Sequence, residues 1–510
     1  MRFQTLATRG VGGYRQYRIP AMAVTPTGRI IAIYDARADL DDLPGPIDLV
    51  IRFSDDNGNT WSEQKLFGKH EGITGYGDAG ILIDPSVGQT GRILVLNQVT
   101  QLAGFFESSP GVDPDDPTVA QIELSISDDD GKTWSHKYIT EQLKNESTPG
   151  IFATSGMGSR ISTGKYDGRL LHTFVIRRGN TLLAAIGYSD DHGLNWKLGA
   201  EIPGGNETAI IGLPDGSILL HSRATPFRLS GSSTDGGQTL NELGPDLALP
   251  DPSDNGSLAL LDDGAIICTH NHDSDLRRFT VVKKSYDNGK TWPEVAILEV
   301  GSSAYSTACQ LEDGSIGVLF ERNGYSELVF AKVESEDFVS AEALKPATEV
   351  EFTIALRFIQ PARMNVIEKK SEIAPKVDMT KFRFFEGKEV AKRASDIGAE
   401  ILYTSAEFDQ MMGPISPGFH LGDEIRFSGR LANNSTNSLS DVEIKSSIES
   451  FKITKELLNP GEKIVFLDLR HIVTAAEIAA GKVQIKFNWS SKTLSGELIQ
   501  EFSTATGELL

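Results

Sequence analysis

The chain has 510 residues, with 49 Lys and Arg against 70 Asp and Glu, for a formal net charge of −21. That length exceeds one ordinary core and predicts two or three domains unless a repeat absorbs part of it. The acidic balance, with no basic run to offset it, excludes a nucleic-acid or anionic-membrane surface, so an anionic ligand must meet a local cluster of arginines.

Residues 1–6 lack the apolar stretch of a secretion signal, and no run approaches bilayer-spanning length. As written, the chain reads as soluble and cytoplasmic, with no membrane insertion; a secreted chain whose leader had been removed would read the same. Tyr17-Arg18-Ile19-Pro20 comes next. Gly28 then opens a signature of Gly, any residue, and Ile or Leu, repeated at Gly91, Gly168, Gly216, Gly264 and Gly314, at intervals of 63, 77, 48, 48 and 50 residues. Such spacing suits four short strands per unit with insertions in the first two.

An acidic loop follows the first Gly-strand, carrying Arg37, Asp39, Asp41 and Asp42 ahead of Leu43-Pro44-Gly45-Pro46. Behind it lies the first of five copies of S-x-D-x-G-x-T-W, at 54–61, 127–134, 189–196, 233–240 and 285–292, with Asn195 in place of Thr and Leu240 in place of Trp. This pattern predicts a strand-turn-strand hairpin. The Asp carboxylate accepts backbone N–H groups of its own turn, Gly takes the positive φ, and Trp packs between sheets. The boxes are therefore structural, and by themselves they indicate fold and not activity.

Between boxes lie Gly75-Tyr76-Gly77-Asp78, the loop 104–111, which reads equally as a pocket rim or a surface insertion, and Gly205-Asn206-Glu207-Thr208. Arg223 ends the strand that Gly216 opens, and Glu321 stands seven residues after Gly314 as Arg223 does after Gly216, so both belong at matching strand ends on one mouth. Arg277 and Arg278 precede the fifth box, and Ala304-Tyr305-Ser306-Thr307 follows it. Cys268 and Cys309 sit in apolar strands and read as buried free thiols; no Cys or His spacing suggests a metal.

The repeat stops near residue 336, and 337–372 reads as a last repeat strand plus a linker. Beyond it, alternating segments around Ile425, Val442, Ile464 and Val483 predict a small immunoglobulin-like β-sandwich, with a helical piece at 474–480 ended by Gly481. The expected organisation is all-β: a six-bladed β-propeller over 1–350, a linker over 351–375 and the sandwich over 376–510.

On Tyr17-Arg18-Ile19-Pro20, the five boxes and the Tyr305 context, residues 1–335 resemble the bacterial exo-α-sialidases. The resemblance implies that Arg18, Arg223 and Arg277 clamp the carboxylate of sialic acid, Arg277 being preferred to Arg278 by its spacing to the fifth box. Planar guanidinium forks suit that task where a lysine does not. It implies Tyr305 as nucleophile with Glu207 as its base, Asp42 as acid with Asp41 the runner-up, Glu321 steadying Arg18, and Arg37 and Asp78 near the C4 hydroxyl and the N-acetyl group. A neutral phenol avoids the repulsion that a second anion would meet at a carbon already bearing a carboxylate; sialidases are the tyrosine exception to two-carboxylate glycosidases. Sialylated oligosaccharides, glycoproteins or glycolipids are the implied partners, without cofactor or metal. A transferring or intramolecular sialidase would share all these residues, and a non-catalytic sialoglycan-binding propeller would need only the clamp.

Overall fold

The computed structural model describes residues 1–361 apart from 73, 180, 346 and 347, and residues 415–508 apart from 449, 450 and 493–497, with backbone alone over 498–508. It is all-β. Among the described residues the α-helices are Thr140–Leu143 and Ala475–Ala480, and no helix is long and apolar enough to cross a membrane.

Six antiparallel meanders make up the first part. The first runs through Gln16–Val24, Ile30–Arg37, Ile47–Ser54 and Lys65–Gly68, and the second through Gly75–Asp84, Arg92–Thr100, Gln121–Ser127 and Ser135–Tyr138. In the third, Ile151–Ala153 and Ser159–Arg160 both pair with Leu170–Arg178, followed by Thr181–Ser189 and Lys197–Ile202. The fourth comprises Thr208–Gly212, Ile218–Ser222, Phe227–Ser233 and Glu242–Pro250. A long strand, Glu294–Gln310, ends the fifth and begins the sixth, which continues through Ile316–Arg322 and Glu327–Val333. The last place in the sixth is taken by Arg2–Thr8, from the other end of the chain.

The boxes form the expected turns. In each, the third-position carboxylate accepts the N–H and side chain of the seventh residue, as Asp56 does from Thr60 at 2.8 and 2.6 Å and Asp191 from Asn195 at 2.8 and 2.7 Å. The first-position serine hydroxyl accepts the glycine N–H, 2.9 Å for Ser54 and Gly58, whose φ of +76° an L side chain rarely adopts. Trp196 and Trp292 are buried between meanders.

Two further sheets, Val350–Gln360, Glu424–Asn433 and Lys463–Ile472 in one, Lys452–Leu458, Leu439–Ser446, Lys482–Lys492 and Leu498–Glu508 in the other, share a core that includes Phe427, Phe466, Phe487 and Trp489. The helix Ala475–Ala480 has Thr474 and Glu477 in a capping box and Gly481 at φ +69° as its stop. Here the boundaries expected from the sequence need correction. Residues 351–360 are not linker but most of a strand paired along its length with Glu424–Asn433. Within 337–361, what is added to the repeat is the two-residue strand Val339–Ser340, paired with Val295 and Glu294 of the fifth meander, while the edge of the sixth is filled by Arg2–Thr8. The remainder of the expected linker, and the sandwich call over 376–414, lie outside the described residues.

Candidate active site

Three of the innermost strands share one irregularity. Between Arg18 and Ala21, between Gly77 and Gly80, and between Ser303 and Ser306, three steps on the inner strand face two on its neighbour. These bulges re-aim side chains at the strand ends. Ile19 at φ +59° and Asp78 at φ +55° are held in a conformation that L residues, and β-branched ones above all, avoid. The sequence places Arg18, Asp78 and Tyr305 in just these three bulges.

Their side chains meet in one cavity of about 340 Å³, lined among others by Arg18, Asp42, Asp78, Glu207, Arg223, Arg277 and Tyr305. Five different meanders contribute these seven residues. Arg18 forms a two-point ion pair with fully buried Glu321, Nε and Nη2 each 3.1 Å from a carboxylate oxygen. Glu321 also accepts the N–H of Ile19 at 2.8 Å and of Tyr305 at 3.3 Å, so one carboxylate ties the first bulge to the third. Burial alone would lower the Arg18 pKa, but Glu321 together with Tyr325, Tyr305 and Asp42 outweighs it, and the guanidinium stays charged.

Tyr305 Oη donates to Glu207 Oε2 at 2.5 Å and accepts from Arg223 Nη1 at 2.6 Å, and Arg223 also pairs with Glu207. Burial pushes the phenol well above its usual range, opposed by Arg223. The hydroxyl is thus neutral in the free chain, with a carboxylate placed to take its proton and a cation placed to stabilise the oxygen left behind. Arg277 donates to Tyr325 Oη at 2.8 Å and to the Ser253 carbonyl at 3.2 Å, and lies 3.7 Å from buried Asp254, whose carboxyl burial pushes up to about 7 despite Arg277 and Arg223. Arg278 turns the other way, to Asp273 at 3.1 Å.

Asp42 accepts from Arg37 at 2.7 Å. Nearby protein favours the neutral form of its carboxyl, but Arg37, Arg18 and Arg223 together outweigh that and hold it below the ordinary range. Water still reaches 79 % of the side chain, which screens those charges. Asp41 carries its carboxylate on the same loop but does not line the cavity. Arg37 is 2 % exposed and is not among the residues that line the cavity; Asp35 accepts from it at 2.6 and 3.0 Å, and Asp42 at 2.7 Å. Burial raises the Asp35 carboxyl to about 6 against the pull of Arg37, and raises Asp78 well above the ordinary carboxylate range, with Asp35 adding to it.

An apolar wall of Phe105, Phe106, Phe152, Val175 and Leu182 also lines the cavity, so the loop 104–111 rims it. Sequence reasoning missed Asp35, Ser253, Asp254 and Tyr325. Asp35 had a readable signal, since residues two apart on a strand share a face and it stands two before Arg37; the other three follow no motif. No group of three or more metal-ligating side chains occurs among the described residues, and both cysteines are free and buried.

Residues 28–318 match the profile of the BNR repeat-like domain family. A sialidase of Micromonospora viridifaciens is 37% identical over 338 residues, covering 62% of this chain and 52% of that protein. A sialidase of Bacteroides fragilis (strain YCH46) is 30% identical over 350 residues, covering 63% of each. The chain thus matches between about half and two thirds of the length of these relatives. Among solved structures, a leech intramolecular trans-sialidase complexed with 2,7-anhydro-Neu5Ac superposes with a TM-score of 0.59 at 20% identity, over 66% of this chain and 71% of that one, a likeness of fold. With its profile matched over more than half its length, the chain belongs to the BNR repeat-like domain family, within which the two relatives above are sialidases.

Proposed function

We propose that the chain is an exo-sialidase that hydrolyses terminal sialic acid from glycoconjugates, its six meanders forming a six-bladed propeller closed by Arg2–Thr8 and its later sheets an immunoglobulin-like sandwich beginning at Val350. The observation that carries this reading is the phenol of Tyr305 between Glu207 and Arg223, within a cavity walled by three arginines.

In this reading Arg18, Arg223 and Arg277 hold the sugar carboxylate. The Tyr305 oxygen bonds to the anomeric carbon as its proton passes to Glu207, while the glycosidic C–O bond breaks and Asp42 gives its proton to the departing oxygen. Asp42 then takes a proton from water, whose oxygen replaces the tyrosine at that carbon, and Glu207 returns the proton to Tyr305. Two displacements retain configuration. The cationic clamp is organised before the oxocarbenium-like transition state forms, so it costs no reorganisation during the reaction. The apolar wall suits the acyl group and the uncharged face of the sugar, and the steps need no metal or cofactor.

An assay on α2,3- and α2,6-linked sialyllactose with identification of the released sugar tests the assignment. Free sialic acid is expected; anhydro-sugar or sialylated acceptor would mean an intramolecular or transferring enzyme, and binding without turnover a lectin-like propeller.

Two predictions concern Asp42. Asp42→Asn is expected to slow a natural sialoside, whose alkoxide needs a proton, by about 10²–10⁴-fold, and an aryl sialoside with a good leaving group far less. Equal losses on both would assign the acid elsewhere. The second is a pH effect. In the free chain Asp42 lies below the ordinary carboxylate range, held there partly by Arg18 and Arg223. A bound carboxylate neutralises those cations, so the Asp42 pKa rises in the complex. On sialyllactose, kcat should therefore hold its value to higher pH than kcat/KM before its basic limb falls, because kcat reports the complex and kcat/KM the free chain. Coincident limbs would remove Asp42 from the proton transfer.

A further inference from the structure

The clamp does not rest on the six meanders alone. Tyr325, which accepts from Arg277 at 2.8 Å and lies under the Arg18 guanidinium at 4.1 Å, sits in a turn whose three successive residues are all left-handed: Asn323 at φ +53°, Gly324 at +62° and Tyr325 at +66°. Such a run is unfavourable for the two non-glycine residues, and it persists only where surroundings over-determine it. The surroundings here come from the C-terminal unit. The Phe358 ring lies parallel to the Tyr325 ring, 9° apart with centroids at 6.5 Å. Leu356 and Phe358 press on Gly324 so closely that a Cβ there would meet Leu356 Cγ at 2.9 Å and Phe358 Cα at 3.2 Å.

Hydrogen bonds reinforce the contact. Ser302 Oγ donates to the Leu356 carbonyl and accepts the Gly324 N–H at 3.2 Å, binding the turn to the strand Val350–Gln360 through one hydroxyl. Gln16, fully buried and two residues before Arg18, donates to the Ile359 carbonyl at 2.9 Å. The same strand therefore grips the turn behind Arg277 and the strand that carries Arg18. Ion pairs bolt it in place at a distance from the site: Arg9 to Asp423 at 2.6 Å, and Arg430 to Asp273 at 2.6 Å and to Asp275 at 3.1 Å.

We propose that the C-terminal unit completes the carboxylate clamp, with Phe358 as a positioning residue that fixes Tyr325 and through it Arg277 and Arg18. The unit is on this account part of the binding site's rigidity and not only an appendage. Phe358 touches no substrate. Its effect should appear in affinity for a carboxylate sugar, and the proposal rests on the sialidase reading only for the choice of that sugar.

The test uses the full chain and calorimetric binding of free sialic acid, with KM and kcat on an aryl sialoside alongside. Phe358→Ala is expected to weaken sialic acid binding and raise KM by about tenfold, the scale on which small misplacements of positioning groups act, with circular dichroism like that of the wild type. Phe358→Tyr keeps the flat ring and should stay within about twofold of the wild type. Wild-type affinity in Phe358→Ala overturns the proposal, as does an equal loss in Phe358→Tyr. If Phe358→Ala does not fold, Phe358→Leu, which keeps apolar bulk without the flat face, carries the same expectation and the same refutation. A wild-type chain that binds sialic acid yet turns over no sialoside would instead refute the enzyme assignment, and the binding comparison would still decide the role of Phe358.

Discussion

Tyr305→Phe is expected to fold like the wild type, bind sialic acid nearly as well, and lose about 10³-fold or more of its turnover on an aryl sialoside, a nucleophile-sized loss. The substitution removes one oxygen and little else. The ring stays beneath the arginines, whose guanidinium carbons lie 5.2, 5.8 and 5.6 Å from its centroid for Arg18, Arg223 and Arg277, so the cation–π contacts that help space the clamp survive. Arg223 and Glu207 keep their mutual ion pair. Glu321 still accepts the backbone N–H of residue 305. What disappears is the phenol oxygen, whose proton already points at Glu207 while it accepts from a cation. The loss should therefore fall on kcat, with KM almost unchanged, since a phenol that acts only in the transition state contributes little to ground-state binding. Steady-state kinetics with the variant's circular dichroism spectrum decide it. Turnover equal to the wild type's would remove Tyr305 from the mechanism, and a loss confined to KM would make it a binding group.

Sequence spacing carried the all-β class, the repeated hairpins and the stop at Gly481, because each depends on local chemistry: a carboxylate four residues from a threonine N–H, a glycine where φ is positive, a capping box before a helix. The boundary near residue 350 was not legible. Val350–Gln360 alternates weakly, and its partner, Glu424–Asn433, lies far along the chain, so nothing local says which sheet it joins. Arg2–Thr8 escaped notice for the same reason, its neighbour being Glu327–Val333 at the other end of the repeat. In the cavity, residues with a motif around them, Arg18, Glu207, Arg223 and Tyr305, could be named in advance. Tyr325 and Asp254 could not, since they earn their place by a left-handed turn and by burial, which no spacing reports. Arg37 shows the converse: its motif is present, yet Asp35 on the same strand face pairs with it and it does not line the cavity.

Arg18→Ala is expected to fail in two separable ways, and a second substitution should separate them. Glu321 is fully buried and Arg18 supplies its only ion pair among the described residues. Removing the guanidinium leaves a carboxylate in low dielectric with two backbone N–H groups and no counter-charge, which costs roughly 3–5 kcal/mol of stability. It also removes one fork from the sugar carboxylate, for which a loss of affinity and of kcat/KM on the order of 10²-fold or more is expected, since charge-assisted forks are the strong hydrogen bonds of such sites. Adding Glu321→Gln deletes the stranded charge, and its one carbonyl oxygen can still accept from the Ile19 N–H, which lies 2.8 Å from the native oxygen, while the weaker 3.3 Å bond from Tyr305, made to the other oxygen, is lost. The double variant should thus regain most of the lost thermal stability and none of the lost kcat/KM. That asymmetry is what a residue serving both fold and substrate must produce. If turnover returned together with stability, Arg18 would be acting only as the partner of Glu321, and the clamp would have to be rebuilt from Arg223 and Arg277 alone.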